Sequence, residues 1–188
     1  AHFMELGGSY EFDSRHLISM TAGVENYTGK SQTDMHTDMY DGSGGHRYGF
    51  DNEHASRNRI NSLYTGIDYQ HTLGRHGGVI TLSYRFSAVP STVTSSSLYH
   101  WQKNQAPDLS LRDLCTTSDL RTDEHTGQID YTVTIGGKHT WSVGAKYIHR
   151  SHKSDNGETT RTAGTEEPFA EDQSPFLSYR QKTDISSA

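Results

Sequence analysis

The sequence predicts an all-β fold, an antiparallel meander of about six long strands with tight turns on one side and long loops on the other. Three observations predict it. Apolar residues recur at every second position in successive windows of roughly ten residues. The connections between these windows alternate between a few residues and roughly thirty. Gly (18) and Tyr (11) far outnumber Pro (4), which favours strands and turns over helices. The i, i+3, i+4 repeat of an amphipathic helix is absent from the same windows.

Taken in order, Met4, Leu6, Gly8, Tyr10 and Phe12 share one face of the first strand, opposite Glu5, Gly7, Ser9 and Glu11. Ile18, Met20, Ala22 and Val24 alternate with Ser19, Thr21, Gly23 and Glu25 in the second. Leu63, Thr65, Ile67 and Tyr69 mark the third; Ile80, Leu82, Tyr84, Phe86 and Ala88 mark the fourth. Ile129, Tyr131, Val133 and Ile135 form the fifth, and Trp141, Val143, Ala145, Tyr147 and His149 the sixth. Hairpins are therefore expected at about 3–28, 58–90 and 122–151, loops at about 29–57, 91–121 and 152–178, and the start of a further strand at 179–188.

Face matching sets the expected register. Phe12 and Ile18 on one face demand an odd-length turn at Ser14-Arg15-His16, with Met20 opposite Tyr10 and Ala22 opposite Gly8. The turn through Gly137-Lys138-His139 should place Ile135 opposite Trp141. Tyr69 and Ile80 demand an even-length connection through Gly74-Arg75-His76-Gly77.

One-sided strands of about ten residues, with short turns at one end and long connections at the other, describe a transmembrane β-barrel. Lipid offers no hydrogen bonds, so backbone groups must pair between strands. A wet lumen tolerates Asp68, Arg85, Asp130 and Lys146. Tyr10, Phe12, Tyr27, Tyr69, Trp141 and Tyr147 suit interfacial girdles. A soluble antiparallel sheet with one wet face gives the same alternation, so a surface β-sandwich binding module stands as the alternative.

Composition narrows the chemistry. A net charge of −6 argues against a nucleic-acid partner held by charge. One cysteine, Cys115, excludes an internal disulfide framework. No basic segment followed by an apolar run opens the chain, so any export signal lies outside this sequence. Thr28-Gly29-Lys30-Ser31 lacks the glycine four residues before its Gly-Lys pair, which excludes a phosphate-binding loop. His36, His46 and His54 with Asp34, Asp38 and Asp41 match no compact metal-ligand spacing. Asp38 to Gly45 lacks the alternating ligands of a calcium loop. No nucleophile–base pair stands out, and neither catalysis nor a cofactor or metal is expected. The candidate ligand-binding residues are loop aromatics, Tyr40, Tyr48, Tyr99 and Trp101, whose rings can stack on a ligand or pack locally.

The segments MELGGSYEFDSRHLISMTAGVENYTG (4–29) and GQIDYTVTIGGKHTWSVGAKYIHRSHKSDN (127–156) resemble barrel hairpins of TonB-dependent receptor-like outer-membrane proteins of the Bacteroidetes type. The tail SPFLSYRQKTDISSA (174–188) resembles the end of a loop and the opening of another strand. The resemblance implies the barrel wall of an outer-membrane receptor or transporter for a solute such as a glycan, siderophore or peptide. It also implies contact with outer-membrane lipid, and with the TonB system through parts outside this chain. Such transporters carry a plug, an energy-coupling box and about 22 strands. None of the first two is found here, and about six strands cannot close a barrel. Residues 1–188 are thus expected to be a partial barrel domain, broken off within a strand at Ala188.

Overall fold

The computed structural model describes residues 1–74, 77–106, 108–171 and 177–188. Its strands are β1 (His2–Asp13), β2 (His16–Tyr40), β3 (His46–Thr72), β4 (Val79–Lys103), β5 (Arg112–Ile135), β6 (His139–Thr162), β7 (Ala170–Glu171) and β8 (Tyr179–Ser187). All belong to one open sheet, in which β1 to β6 form an antiparallel meander. The far edge of β6 carries two partners: β7 beside Thr159 and Thr160, and β8 beside Lys146 to Ser154. No helix occurs among the described residues.

The meander agrees with the periodicity, but the strands are far longer than expected. β2 has 25 residues and β3 has 27. The stretches expected as loops at about 29–57 and 91–121 are largely strand, and the one at about 152–178 is strand over 152–162 and 170–171. The connections shrink to residues 41–45 between β2 and β3 and 104–111 between β4 and β5, and β6 runs on to Thr162. Backbone ladders need no apolar face to form. The outer halves of these strands are mainly polar, with apolar residues that do not alternate regularly, so periodicity could not reveal them.

Register follows the expected parity with a uniform offset. Tyr10 faces Ile18 and Gly8 faces Met20, two residues from the expected pairing. The cause is local. Asp13 Oδ1 accepts the backbone N–H groups of Arg15 (2.8 Å) and His16 (3.0 Å), which closes the reversal on two residues, Ser14 and Arg15. The odd-length turn expected there is therefore replaced by an even one. A bulge between Glu11 and Asp13 absorbs the extra residue and keeps Tyr10 and Ile18 on one face. At the third hairpin Ile135 faces His139 and Val133 faces Trp141. There Gly136 (φ 61°) and Gly137 (φ 67°) turn the chain within three residues. Tyr69 faces Leu82 across the even-length connection 73–78, within which Arg75 and His76 lie outside the described residues.

One face of the inner half is a continuous apolar field. Tyr10, Ile18, Tyr69, Leu82, Ile129 and Ala145 form a single cross-strand row. These side chains are uncovered: Leu6 is 70% exposed, Trp141 67% and Val143 68%. Among the described residues there is no second sheet to bury them. The sandwich alternative lacks the facing layer it requires. Tyr27, expected in a girdle, sits on the polar face opposite Ile60.

Candidate functional site

The polar face of the inner half is a hydrogen-bonded lattice. Arg85 donates to Asp68 (2.7 Å), which also accepts from Ser83 (2.5 Å). Arg150 donates twice to Glu124 Oε2 (2.8 and 2.6 Å), and Gln128 donates to Asp130 (2.7 Å). Glycines make room for these large groups. Gly23, Gly66 and Gly144 sit directly opposite Tyr64, Arg85 and Asp130. A Cβ at Gly23 would lie 2.2 Å from the Tyr64 ring, and one at Gly144 2.2 Å from Asp130 Oδ1.

Further out on the same face, the ladder gathers aromatic rings from two hairpins. Tyr48 and Phe50 of β3 meet Tyr99 and Trp101 of β4. Ring centroids are 6.2 Å apart for Tyr48–Trp101, 6.0 Å for Phe50–Trp101 and 5.9 Å for Phe50–Tyr99. All three pairs meet edge to face, the favoured geometry for ring quadrupoles. Asn52 faces Tyr99 across the ladder, is 8% exposed, and its Nδ2 has no hydrogen-bond partner among the described residues. A buried unpaired donor costs on the order of 1–3 kcal/mol unless an acceptor arrives. The backbone beneath is fixed by Asp113, which is 2% exposed. Asp113 accepts the Tyr99 N–H (2.8 Å) and Arg161 Nε (2.8 Å), tying β4, β5 and β6 together.

The opposite face of the β2–β3 tip carries a separate cluster. His36 Nδ1 lies 2.5 Å from Asp51 Oδ1, and Nε2 lies 3.0 Å from Asp38 Oδ2. Carboxylates only accept, so this geometry favours the imidazolium form, in which both ring nitrogens donate. Asp51, then Asp38, accordingly raises the His36 pKa. Asp38, bonded to His46 (2.8 Å) and His36, is held below the usual carboxylate range, as is Asp51. Gln102 also donates to Asp51, linking the β4 end to this tip. Asp41 Oδ1 accepts from the Ser43 and Gly45 N–H groups and the Ser43 hydroxyl, which makes Asp41 the cap of a turn. Among the described residues, no group of three or more His, Cys, Asp or Glu is arranged to hold a metal.

The sequence matches the model of an outer membrane protein beta-barrel family over residues 71–184, more than half of the chain. The chain belongs to this outer-membrane β-barrel family. No curated protein matches it. The match covers β4, β5, β6 and most of β8, and β1 to β3 continue the same ladder without a break.

In an outer-membrane barrel the exposed apolar field faces lipid and the polar lattice faces the lumen. Tyr84 and Tyr147 stand on the lipid face, in one row with Met20 and Ile67. The Tyr84 hydroxyl lies 2.8 Å from His125 Nδ1, and Tyr147 donates to Asp184 (2.6 Å), each ring in the apolar field and each hydroxyl meeting a polar group of the next row out. Of the sequence-predicted site residues, Tyr48, Tyr99 and Trp101 come together on the lumen side. Tyr40 does not: a register shift at Met39/Tyr40 sets it beside His46, rings 5.4 Å apart. His54 is separated from His36 and His46, bonding Ser97 at 2.9 Å. Phe50, Asn52 and Asp113 escaped sequence reasoning. Phe50 was within reach of it, since it follows Tyr48 at the strand spacing of two.

Proposed function

We propose that the chain is barrel wall of an outer-membrane receptor or transporter for solute uptake, with no catalysis of its own. The observation that carries this is the lumen-side group Tyr48, Phe50, Tyr99 and Trp101 beside the unpaired Asn52 amide, raised beyond the lipid belt. Rings supply apolar contact at small entropic cost, and a buried donor awaits a carbonyl or hydroxyl oxygen. That pairing suits a glycan, siderophore or peptide. The resemblance to TonB-dependent receptors of the Bacteroidetes type supports energised uptake, with the TonB system engaged by segments other than these strands. The long hairpins face outward, and the short turns at Ser14-Arg15 and Gly136-Gly137 face the periplasm. The test is protease access and uptake together. In sealed cells trypsin should cut at Arg47 and spare Lys138. In the full-length protein Trp101→Ala and Asn52→Ala should lower solute uptake at least tenfold while assembly is unchanged. Cleavage at Lys138 with protection at Arg47 would reverse the orientation, and full uptake by both variants would remove the cluster from the solute path.

A further inference from the structure

The lipid-facing side of β2 and β3 does not stop being informative where it stops being apolar. Above the last apolar pair, Val24 and Leu63, come Asn26 with Asn61, then Thr28 with Arg59, then Lys30 with Arg57. Lys30 and Arg57 are direct cross-strand partners, and like charges placed so destabilise a sheet. Among the described residues Lys30, Arg57 and Arg59 form no ion pair and donate no side-chain hydrogen bond. Carboxylates are present on the same ribbon but set apart. Asp34 and Glu53 face each other four residues farther out, roughly 13 Å away along the strand and beyond a Debye length. Asp119 stands two strands away in the Arg59 row, where it accepts from the Thr92 hydroxyl (2.7 Å). A shift of four residues would have cancelled both like-charge pairs.

Further cations stand on this face across the sheet, in a row two residues nearer the lipid than that of Arg59 and Asp119. Arg121 faces Lys153, and Lys153 faces Arg180, on the same side of β5, β6 and β8. With strands tilted about 40°, four to six residues correspond to roughly 10–15 Å above the apolar belt. In β5 and β6 the belt is balanced locally, by Arg121–Asp123 (2.9 Å) and by Lys153–Asp155. In β2 and β3 it is not. There Lys30 and Arg57 flank a groove of about 560 Å³ floored by the small residues Ala55, Ser96 and Cys115.

We propose that Lys30, Arg57 and Arg59 bind the phosphate groups of a phosphorylated lipid headgroup in the outer leaflet, seated against this groove. The site rests on the outward orientation of the long hairpins. Its logic is that two facing cations are tolerated because an anion at that height neutralises them.

The test uses the full-length protein in nonionic detergent and a fluorescent, bis-phosphorylated saccharolipid in mixed micelles. Wild type should bind it at least tenfold more tightly than the same lipid stripped of phosphate, and less tightly as salt rises. The K30Q/R57Q/R59Q variant should bind roughly a hundredfold more weakly, and R57K/R59K should stay near wild type. Lys30→Gln alone relieves the facing charges, so it should fold at least as well as wild type and still lose roughly fivefold in binding. Unchanged binding by these glutamine variants, or equal binding of the dephosphorylated lipid, overturns the proposal. Competition by inorganic phosphate at equal concentration overturns the lipid assignment in favour of a soluble anion. Orientation is read separately: R57C in a C115S background should react with an impermeant maleimide in sealed cells. Reaction only after permeabilisation overturns the outer-leaflet assignment through the orientation, whatever the micelles bind.

Discussion

The inner and outer halves of the same strands share one backbone ladder and two different solvents. Below Val24 and Leu63, β2 and β3 alternate apolar with polar side chains; above them, both faces are mainly polar out to Tyr40 and His46, with apolar residues such as Ile60, Phe50 and Met35 scattered rather than alternating. The hydrogen bonds do not change across that boundary, because each residue pairs through its main chain in either medium. What changes is the side-chain rule. The inner half must offer lipid an apolar face. The outer half, standing roughly 50 Å beyond it at ~3.3 Å per residue, faces water on both sides. Period two is therefore a signature of the membrane, and the strand itself extends past it.

The largest expected effect breaks the inner half on one face only. Val143 is 68% exposed on the lipid face, and Ser142, its neighbour on β6, points into the lumen opposite Thr132. Val143→Arg in the full-length protein should cost about 2–4 kcal/mol in lipid, and Ser142→Arg less than about 1. Gly144 is the wrong control, because a Cβ there would lie 2.2 Å from Asp130 Oδ1. Urea unfolding from vesicles, followed by heat-modifiable migration, compares the two variants. Equal losses would mean that the two faces do not see different solvents.

A smaller effect tests what holds the outer half in shape without lipid. Asp113 is its one fully buried large side chain among the described residues, and it bonds two donors from strands on either side. Asp113→Ala strands the Tyr99 N–H and the Arg161 guanidinium, at a cost of roughly 1–3 kcal/mol confined to the outer ribbon. Amide exchange should quicken at Tyr99 and its neighbours while β6 below Tyr147 stays protected. Faster exchange in the inner half as well would show that the two halves unfold as one unit.

The same division explains what the sequence revealed. The apolar runs Leu63–Tyr69, Ile80–Ala88, Ile129–Ile135 and Trp141–Tyr147 were legible because lipid imposes the pattern. The outer strands were invisible, and with them the partnership of Phe50 with Trp101. Aromatics read as members of loose loops were in fact residues at fixed register. The ion pair of Asp113 with Arg161 spans 48 residues and carries no local signal. Face matching fixes the parity of a register but not how tightly its turn closes, and here Asp13 capping Arg15 and His16, and the left-handed pair Gly136 and Gly137, each tighten a hairpin by two residues.

The smallest effect sharpens the comparison at the far tip, where solvent screening is strongest. His36 sits between Asp51 and Asp38, which favour its cationic form. Its pKa is raised, so its contribution to tip order is full below the unfolded value of about 6.5 and fades as pH rises through the folded one. The pKa values of Asp38 and Asp51 are lowered, so theirs is full above about 4 and fades as pH falls through the folded values. Both conditions hold together between those limits, and the tip should be best ordered in mildly acidic to neutral solution. Because all three groups are solvent-exposed, the change belongs to the hairpin end and leaves global stability untouched. Amide exchange of residues 36–51, followed from pH 4 to 9, should pass through a minimum after correction for intrinsic rates. His36→Gln should flatten the alkaline side of that profile and leave the inner half of β2 unmoved. A wild-type profile that rises only on the acidic side would show that His36 is neutral and that Asp38 is organised by His46 alone.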